Sequence, residues 1–273
     1  MATRQLEARA LAKVWGRQDI PAMFGGQTHP GDAIGEIWFE GADATDLLVK
    51  YLFTSERLSI QVHPSDDLAR SSGHPRGKDE AWYILSAEPG AVIGAGFEAD
   101  LTASQLRAAA VDGRIESLLT WHPVEPGDFF YVPAGTVHAI GAGLSLLEIQ
   151  QNVDLTYRLF DYGRPRELQL DEAIAAARPA ALARPVARAI DNTRAVLAEG
   201  PKFVIEQLCG LSTTRITASV DSPVWLLPIT SGCTLDQVEC CAGTVWMSDA
   251  DVGIQLAPDS CMLVAYSGQN VRI

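Results

Sequence analysis

Hydrophobic and polar residues alternate in short runs along most of the chain, and Gly, Pro and Asp cut the runs apart. Residues 11–63 read as short strands separated by turns (PAMFGG, HPGDAIG, GADAT). In Leu58-Ser59-Ile60-Gln61-Val62-His63-Pro64 the strand period places Ser59, Gln61 and His63 on one face. A polar turn (SDDLARSSGHPRG) then leads to a strand at Ala81 to Leu85 with Glu80 at its mouth. Gly127-Asp128 permits a tight turn, Phe129 to Val132 form a β-prone run, and Pro133 and Gly135 end it. His138 opens the next strand, read as Ala139 to Gln150. Thr102-x-x-Gln105 is a capping box that starts a helical stretch, and Asp112-Gly113 splits that stretch into two short helices. Another helix is expected around Leu170 to Arg178, and RPAALARPVARAI reads as a linker. Beyond about residue 190 only strands and turns follow (KFVIEQLCGL, RITASV, VWLLPITSG, GTVWMSD, CMLVAYSG). The pattern predicts a mostly β chain with a few short helices, divided into a first lobe at 1–186 and a smaller jelly-roll lobe at 187–273.

Composition narrows the function classes. With 47% hydrophobic and 20% charged residues, the 273-residue chain can bury a sizeable core. A formal net charge of −13 argues against nucleic acid and anionic membranes as partners. The start, MATRQLEARALAKVW, has no apolar signal core, and no long apolar run follows, so a cytoplasmic location is expected. The five cysteines (Cys209, Cys233, Cys240, Cys241, Cys261) lie in the last quarter without a C-x-x-C spacing. They are expected to be reduced, half-buried core residues, with Cys240 and Cys241 on opposite faces if they lie in a strand.

The stretch GDFFYVPAGTVH, from Gly127 to His138, has the spacing G-x5-P-x-G-x2-H. It resembles the second metal-binding motif of the cupin superfamily, small β-barrels that hold one metal among their strands; Ala142 stands where that motif usually closes with Asn. The first cupin motif is H-x-H followed by Glu, and here Gln61 replaces the first His. The resemblance implies two jelly-roll, cupin-like barrel lobes and a ligand set of Gln61, His63, Glu80 and His138. Two nitrogens with two oxygens, open to water, suit Zn²⁺ and are compatible with Mn, Co or Fe. Taken singly, each residue has a plainer role as a packed or solvated side chain; the joint arrangement carries the assignment. His29, His74 and His122 sit in loop contexts (THPG, GHPR, WHPV) and are read as ordinary loop side chains, and the histidine-free C-terminal lobe cannot repeat the site.

Further pieces, in register, are more specific. They are Lys13-Val14-Trp15-Gly16, Gly35-Glu36-Ile37-Trp38, Lys50-x10-Gln61-x-His63-Pro64, Lys78-x-Glu80 and Glu148-Ile149-Gln150-Gln151-Asn152-Val153-Asp154-Leu155-Thr156-Tyr157-Arg158 with Asp161-Tyr162-Gly163-Arg164. Together, over about residues 11–175, they resemble the type I mannose-6-phosphate isomerases in their short bacterial form. Val153 stands where that family usually has Ser, and Leu155 where a polar residue is frequent, two departures able to tune substrate choice. The resemblance implies metal-dependent interconversion of mannose 6-phosphate and fructose 6-phosphate through a cis-enediol, by a monomer or homodimer acting on a small sugar phosphate.

Glu148, the lone charge in LSLLEIQ, is the expected proton shuttle, with burial favouring a raised pKa. Its plainer role is a structural partner of Arg158 or Lys50. Arg158 offers a fixed fork for a phosphate or enediolate, Lys50 and Lys78 complete a cationic rim, Ser59 is placed to donate to a substrate oxygen, and Asp161 to orient Arg158. Other readings are an isomerase for a related sugar phosphate, a non-catalytic sugar-phosphate-binding cupin, an iron-dependent oxygenase and a storage bicupin. Gln61 argues against the His-rich oxygenases, and the cationic rim against a storage role.

Overall fold

The structure, a computed structural model, describes residues 3–21, 31–41 and 45–271. His29 and most of the turns read at PAMFGG, HPGDAIG and GADAT lie outside the described residues. Within them the chain is mostly β, in four sheets that face one another as layers and do not close on themselves through hydrogen bonds. One six-stranded antiparallel sheet runs Glu7–Arg17, Ile34–Glu40, Leu47–Thr54, Leu144–Gln151, Glu80–Ala87, Phe129–Val132. A five-stranded sheet runs Tyr157–Phe160, Ile60–Val62, His138–Ile140, Val92–Phe97, Leu119–Pro123. The C-terminal region builds a seven-stranded sheet, joined at its edge by Arg4–Gln5, and a four-stranded sheet that includes Ser212–Ile216 and Val252–Leu256.

Strand alternation explains the layering. Leu147 and Ile149, with Val49, Tyr51, Phe53, Ala81 and Tyr83 on the flanking strands, pack against Phe203, Ile205, Trp225 and Leu263 of the seven-stranded sheet. Leu144 and Leu146, with Leu52, Trp82 and Ile84, face the other way, against Ile93, Ala95 and Ile140 of the five-stranded sheet. With a sheet on either face, every residue of Leu144–Gln151 is buried. The outer face of the five-stranded sheet is covered by the helices Ala103–Asp112, Ile115–Leu118 and Leu170–Ala176.

The helical expectations hold in detail. Thr102 and Gln105 form the capping box, and Gly113, left-handed at φ 81°, ends the first helix before the second begins. A short helix at Asp66–Ser71 inside the expected polar turn was not anticipated; Ser65 caps it and Asp66 and Asp67 occupy its first turn, a signal the sequence did carry. The linker is anchored on the sheet, for the Phe97 amide donates to the Ala180 carbonyl and the Leu101 amide to the Pro179 carbonyl. No helix among the described residues is long and apolar enough to cross a membrane.

Three expectations need correction. The strand read as Ala139 to Gln150 is two, His138–Ile140 and Leu144–Gln151, in different sheets. Gly141 breaks it by lying against the Val92 carbonyl, where a Cβ would come within 2.3 Å, and Gly143 turns the chain at φ 77°. Five reduced cysteines are not found either: Cys209 and Cys261, directly opposed on neighbouring strands with Cα atoms 4.2 Å apart, form a disulfide. Cys233, Cys240 and Cys241 are free; Cys240, the last residue of the strand Val238–Cys240, is buried, and Cys241, beyond the strand, is exposed and not a core residue. Finally, His122 lies in the strand Leu119–Pro123, with Nε2 3.3 Å from the Ala95 carbonyl.

Candidate metal centre and its cleft

The facing surfaces of the six- and five-stranded sheets bring the polar residues together. Lys50, Glu148 and Trp82 are in register on three adjacent strands, and Gln150 is opposite Glu80. From the other sheet, Gln61 lies between His138 and Arg158. His63 follows the end of the Ile60–Val62 strand, and the centres of the His138 and His63 rings lie 4.8 Å apart with their planes tilted by 43°.

His63, Glu80 and His138, each about 1% exposed, bring one ligand atom each to within 4.8 Å of one another. Nδ1 of His63 lies 2.8 Å from the Leu155 carbonyl and Nδ1 of His138 2.9 Å from the Thr136 carbonyl. A carbonyl only accepts, so each Nδ1 carries the proton and each Nε2 keeps a lone pair. Those lone pairs face Glu80, at 3.3 Å from Oε2 for His63 and 3.1 Å from Oε1 for His138. Burial lowers the His138 pKa to about 4, which keeps the ring neutral. Glu80 Oε1 is buried with no hydrogen-bond donor. Acceptors gathered around a carboxylate oxygen that has no donor suit a bound cation, and donors about 2.0–2.2 Å from a tetrahedral ion stand roughly 3.3–3.5 Å apart. The chemistry of the cluster therefore fits a divalent metal.

Gln61 is beside this cluster but turned differently: its Nε2 lies 3.3 Å from His138 Nε2, and its Oε1 accepts from the Ser59 hydroxyl at 3.0 Å. Rotating the amide by half a turn would bring Oε1 to the cluster and let Nε2 donate to Ser59.

Cations line the same cleft. Lys78 donates to Glu80 Oε2 at 2.5 Å and to His63 Nε2 at 3.2 Å, and lies 3.6 Å from Glu148. Burial opposes its charge, but Glu148 and Glu80 outweigh that and raise its pKa. Burial likewise opposes ionisation of Glu80, yet the Lys78 ammonium beside it holds its carboxyl well below the usual range. Lys50 lies 3.4 Å from Glu148 and 4.3 Å from the centre of the Trp38 ring. Glu148 Oε2 accepts from the Trp82 indole at 3.2 Å. Of its two expected structural partners, Lys50 is therefore present, and Lys78 takes the place read for Arg158.

The cleft encloses ≈ 590 Å³ of empty space, its open mouth included, and reaches Ser59, Gln61, Lys78, Glu80, Glu148 and Arg158. The buried Arg158 Nε has no protein partner. Asp161 does not orient it: the Asp161 carboxylate takes a two-point bond from Arg166, at 2.6 and 2.7 Å, and another from Arg164 at 3.1 Å. Arg166, Lys13, Glu36, Asp154 and Thr156 also line the cleft and were not among the expected site residues. Lys13 and Glu36 lie within the quoted N-terminal motifs, while no local signal marks Arg166. The Val153 and Leu155 side chains turn into the helix-side core instead, and alternation gives Asp154 and Thr156 to the cleft.

The chain is 45% identical over 134 residues to a mannose-6-phosphate isomerase of Streptococcus mutans, covering 47% of this chain and 42% of that protein. It is 42% identical over 162 residues to the mannose-6-phosphate isomerase ManA of Bacillus subtilis, covering 54% of this chain and 51% of the relative. The chain thus spans about half or less of these curated relatives' length. The solved mannose 6-phosphate isomerase of Bacillus subtilis superposes with a TM-score of 0.83 at 24% identity, over 97% of this chain and 99% of that one, so the fold is shared throughout. No protein-family model matches the chain. The resemblance read from the motifs is borne out in both sequence and fold.

Proposed function

We propose that this chain is a metal-dependent aldose–ketose isomerase interconverting mannose 6-phosphate and fructose 6-phosphate through a cis-enediol. One observation carries the reading. Glu148 is buried between Lys50 and Lys78 on one wall of the cleft, and the same cleft reaches the His63/Glu80/His138 cluster through Glu80, with Gln61 beside it. Isomerisation needs a base that takes a proton from C2 and returns it to C1 beside a centre that stabilises charge on the sugar oxygens. A divalent ion held by His63, Glu80, His138 and Gln61, with Zn²⁺ the first choice and Mn, Co or Fe compatible, supplies Lewis-acid stabilisation of that charge. Glu148 moves the proton. Lys50 and Lys78 flank it at 3.4 and 3.6 Å, and the Trp82 indole fixes the direction of its carboxylate. Arg158, with an unused buried donor, receives the phosphate or the enediolate, and Lys50 and Arg166 add positive charge to the walls. Ser59 sets the Gln61 amide.

The same reading carries a cytoplasmic location, where sugar phosphates are made and used, and a monomer or homodimer. The division into a cupin-like lobe at 1–186 and a jelly-roll lobe at 187–273 is supported by a separate core between the seven- and four-stranded sheets. A coupled assay with mannose 6-phosphate tests the function. Activity should vanish on prolonged chelation and return with Zn²⁺ or a similar ion. Full turnover by protein shown by elemental analysis to be metal-free, or equal turnover of unphosphorylated mannose, overturns the proposal.

A further inference from the structure

The cleft assigns no work to the C-terminal sheets, yet one of their turns reaches the back of the site. Asp66, three residues after His63, is the meeting point. Its Oδ1 accepts from the Gly77 amide at 2.8 Å and from Gln151 Nε2 at 3.1 Å. Its Oδ2 accepts from Lys202 Nζ at 2.7 Å, with Arg70 further off at 3.4 Å. Gln151 in turn accepts from the Asp79 amide at 2.9 Å through its side chain and donates its own amide to the Asp79 carbonyl at 3.0 Å. The segment that presents Lys78 and Glu80 is thereby tied to the segment that presents His63 and to the strand that presents Glu148. Gly77 has to be glycine for this approach, since a Cβ there would lie 2.4 Å from the Pro64 carbonyl.

The turn that supplies Lys202 makes a second contact on the same segment. Gly200 lies against the hydroxyl end of the Tyr131 ring, where a Cβ would come within 2.3 Å, and Tyr131 donates to Asp79 Oδ2 at 2.8 Å. Asp79 Oδ1 also accepts from the Ala134 amide at 3.1 Å, in the loop that leads to His138. An exposed ion pair is worth little, but one carboxylate collecting donors from three chain segments fixes their relative positions.

We infer that Asp66 is a positioning residue of the metal centre, and that Lys202 makes the C-terminal half part of that centre's support. The inference rests on the proposed metal site and is tested first without turnover. Metal-free wild type and variants are titrated with Co²⁺, following its visible absorption against a competing chelator. Outer-shell supports of metal ligands typically contribute about ten- to a hundredfold in affinity, so Asp66→Ala should weaken binding about tenfold or more. Asp66→Asn, which keeps an oxygen for the Gly77 amide, should lose less. Lys202→Met should weaken binding severalfold and Lys202→Arg should restore it, a rescue that loss of general stability does not predict. Asp67→Ala, on the same helix but facing solvent, should bind as wild type. In the isomerase assay the effect should fall on kcat more than on KM, because Asp66 does not reach the cleft.

A wild-type chain that binds no Co²⁺ overturns the metal site and this inference with it. Wild type that binds, with Asp66→Ala and Lys202→Met binding equally well, overturns this inference alone. So does an Asp67→Ala loss as large as that of Asp66→Ala. If Asp66→Ala does not fold, the Lys202 pair decides the matter.

Discussion

A carboxylate in a strand of leucines is costly unless something nearby uses it, and at Glu148 two ammoniums and an indole donor surround it. Glu148→Gln separates proton transfer from packing. The amide oxygen can still accept from Trp82, and the strand pairings on both sides are backbone bonds that the exchange leaves alone. Fold and metal content should be unchanged while turnover falls about a hundred- to ten-thousandfold, the usual contribution of a positioned base. Solvent exchange of the substrate's C2 hydrogen, followed by NMR, should be lost in parallel. Near-normal turnover in this variant would reduce Glu148 to a counter-ion of Lys50 and Lys78. Single residues were legible in the sequence where a lone charge broke an apolar run, as at Glu148, or where the register of a familiar motif marked them, as at Lys50. Asp161 was misassigned because its partner depends on how the Arg164-Pro165-Arg166 turn folds back, and nothing in the local pattern states that.

Elements were legible through their caps and periods, and less so where two of them meet. The linker after Arg178 reads as a free connection, but it lies along the strand Val92–Phe97, bridging Gly96 to Ala181. Gly96 has φ 72°, and a Cβ there would lie 2.5 Å from the Leu182 nitrogen. Gly73 has a similar φ of 86° with open space around it. An alanine at Gly73 should therefore carry only the left-handed backbone penalty of about 1–2 kcal/mol. Gly96→Ala should cost measurably more, because the linker must also lift. Urea unfolding of the two variants checks this, and equal losses would mean that the linker does not rest on Gly96.

Across the whole molecule, Asp66 links the metal-site layers to the seven-stranded sheet, and its titration should be visible in global stability. Burial opposes its ionisation, but the hydrogen bonds from Lys202, the Gly77 amide and Gln151 outweigh that and hold the pKa at about 2. An unfolded Asp titrates near about 3.9. The stabilisation is therefore complete above roughly pH 4 and is lost as pH falls through the folded value. The stability gap between wild type and Asp66→Asn should be constant from neutral pH to about 5 and shrink progressively towards pH 2, by urea unfolding along the series. A gap that does not vary with pH would show that the carboxylate charge contributes nothing there.

Strand period, cap residues and motif spacing are local properties, and they determined the mostly β chain, the capped helices and the grouping of Gln61, His63, Glu80 and His138 with Glu148, Lys50 and Arg158. Only the tertiary structure decided what those residues do to one another. The turn at Gly141–Gly143 sends one expected strand into two sheets, so that His138 and Glu148 arrive on facing sheets. The stacking of the layers gave Asp161 to Arg166, packed the side chains of Val153 and Leu155 against the helix-side core, opposed Cys209 to Cys261, and set Lys202 against Asp66. Each of these joins residues through sheet register or layer packing, and both depend on which distant segments fold against each other.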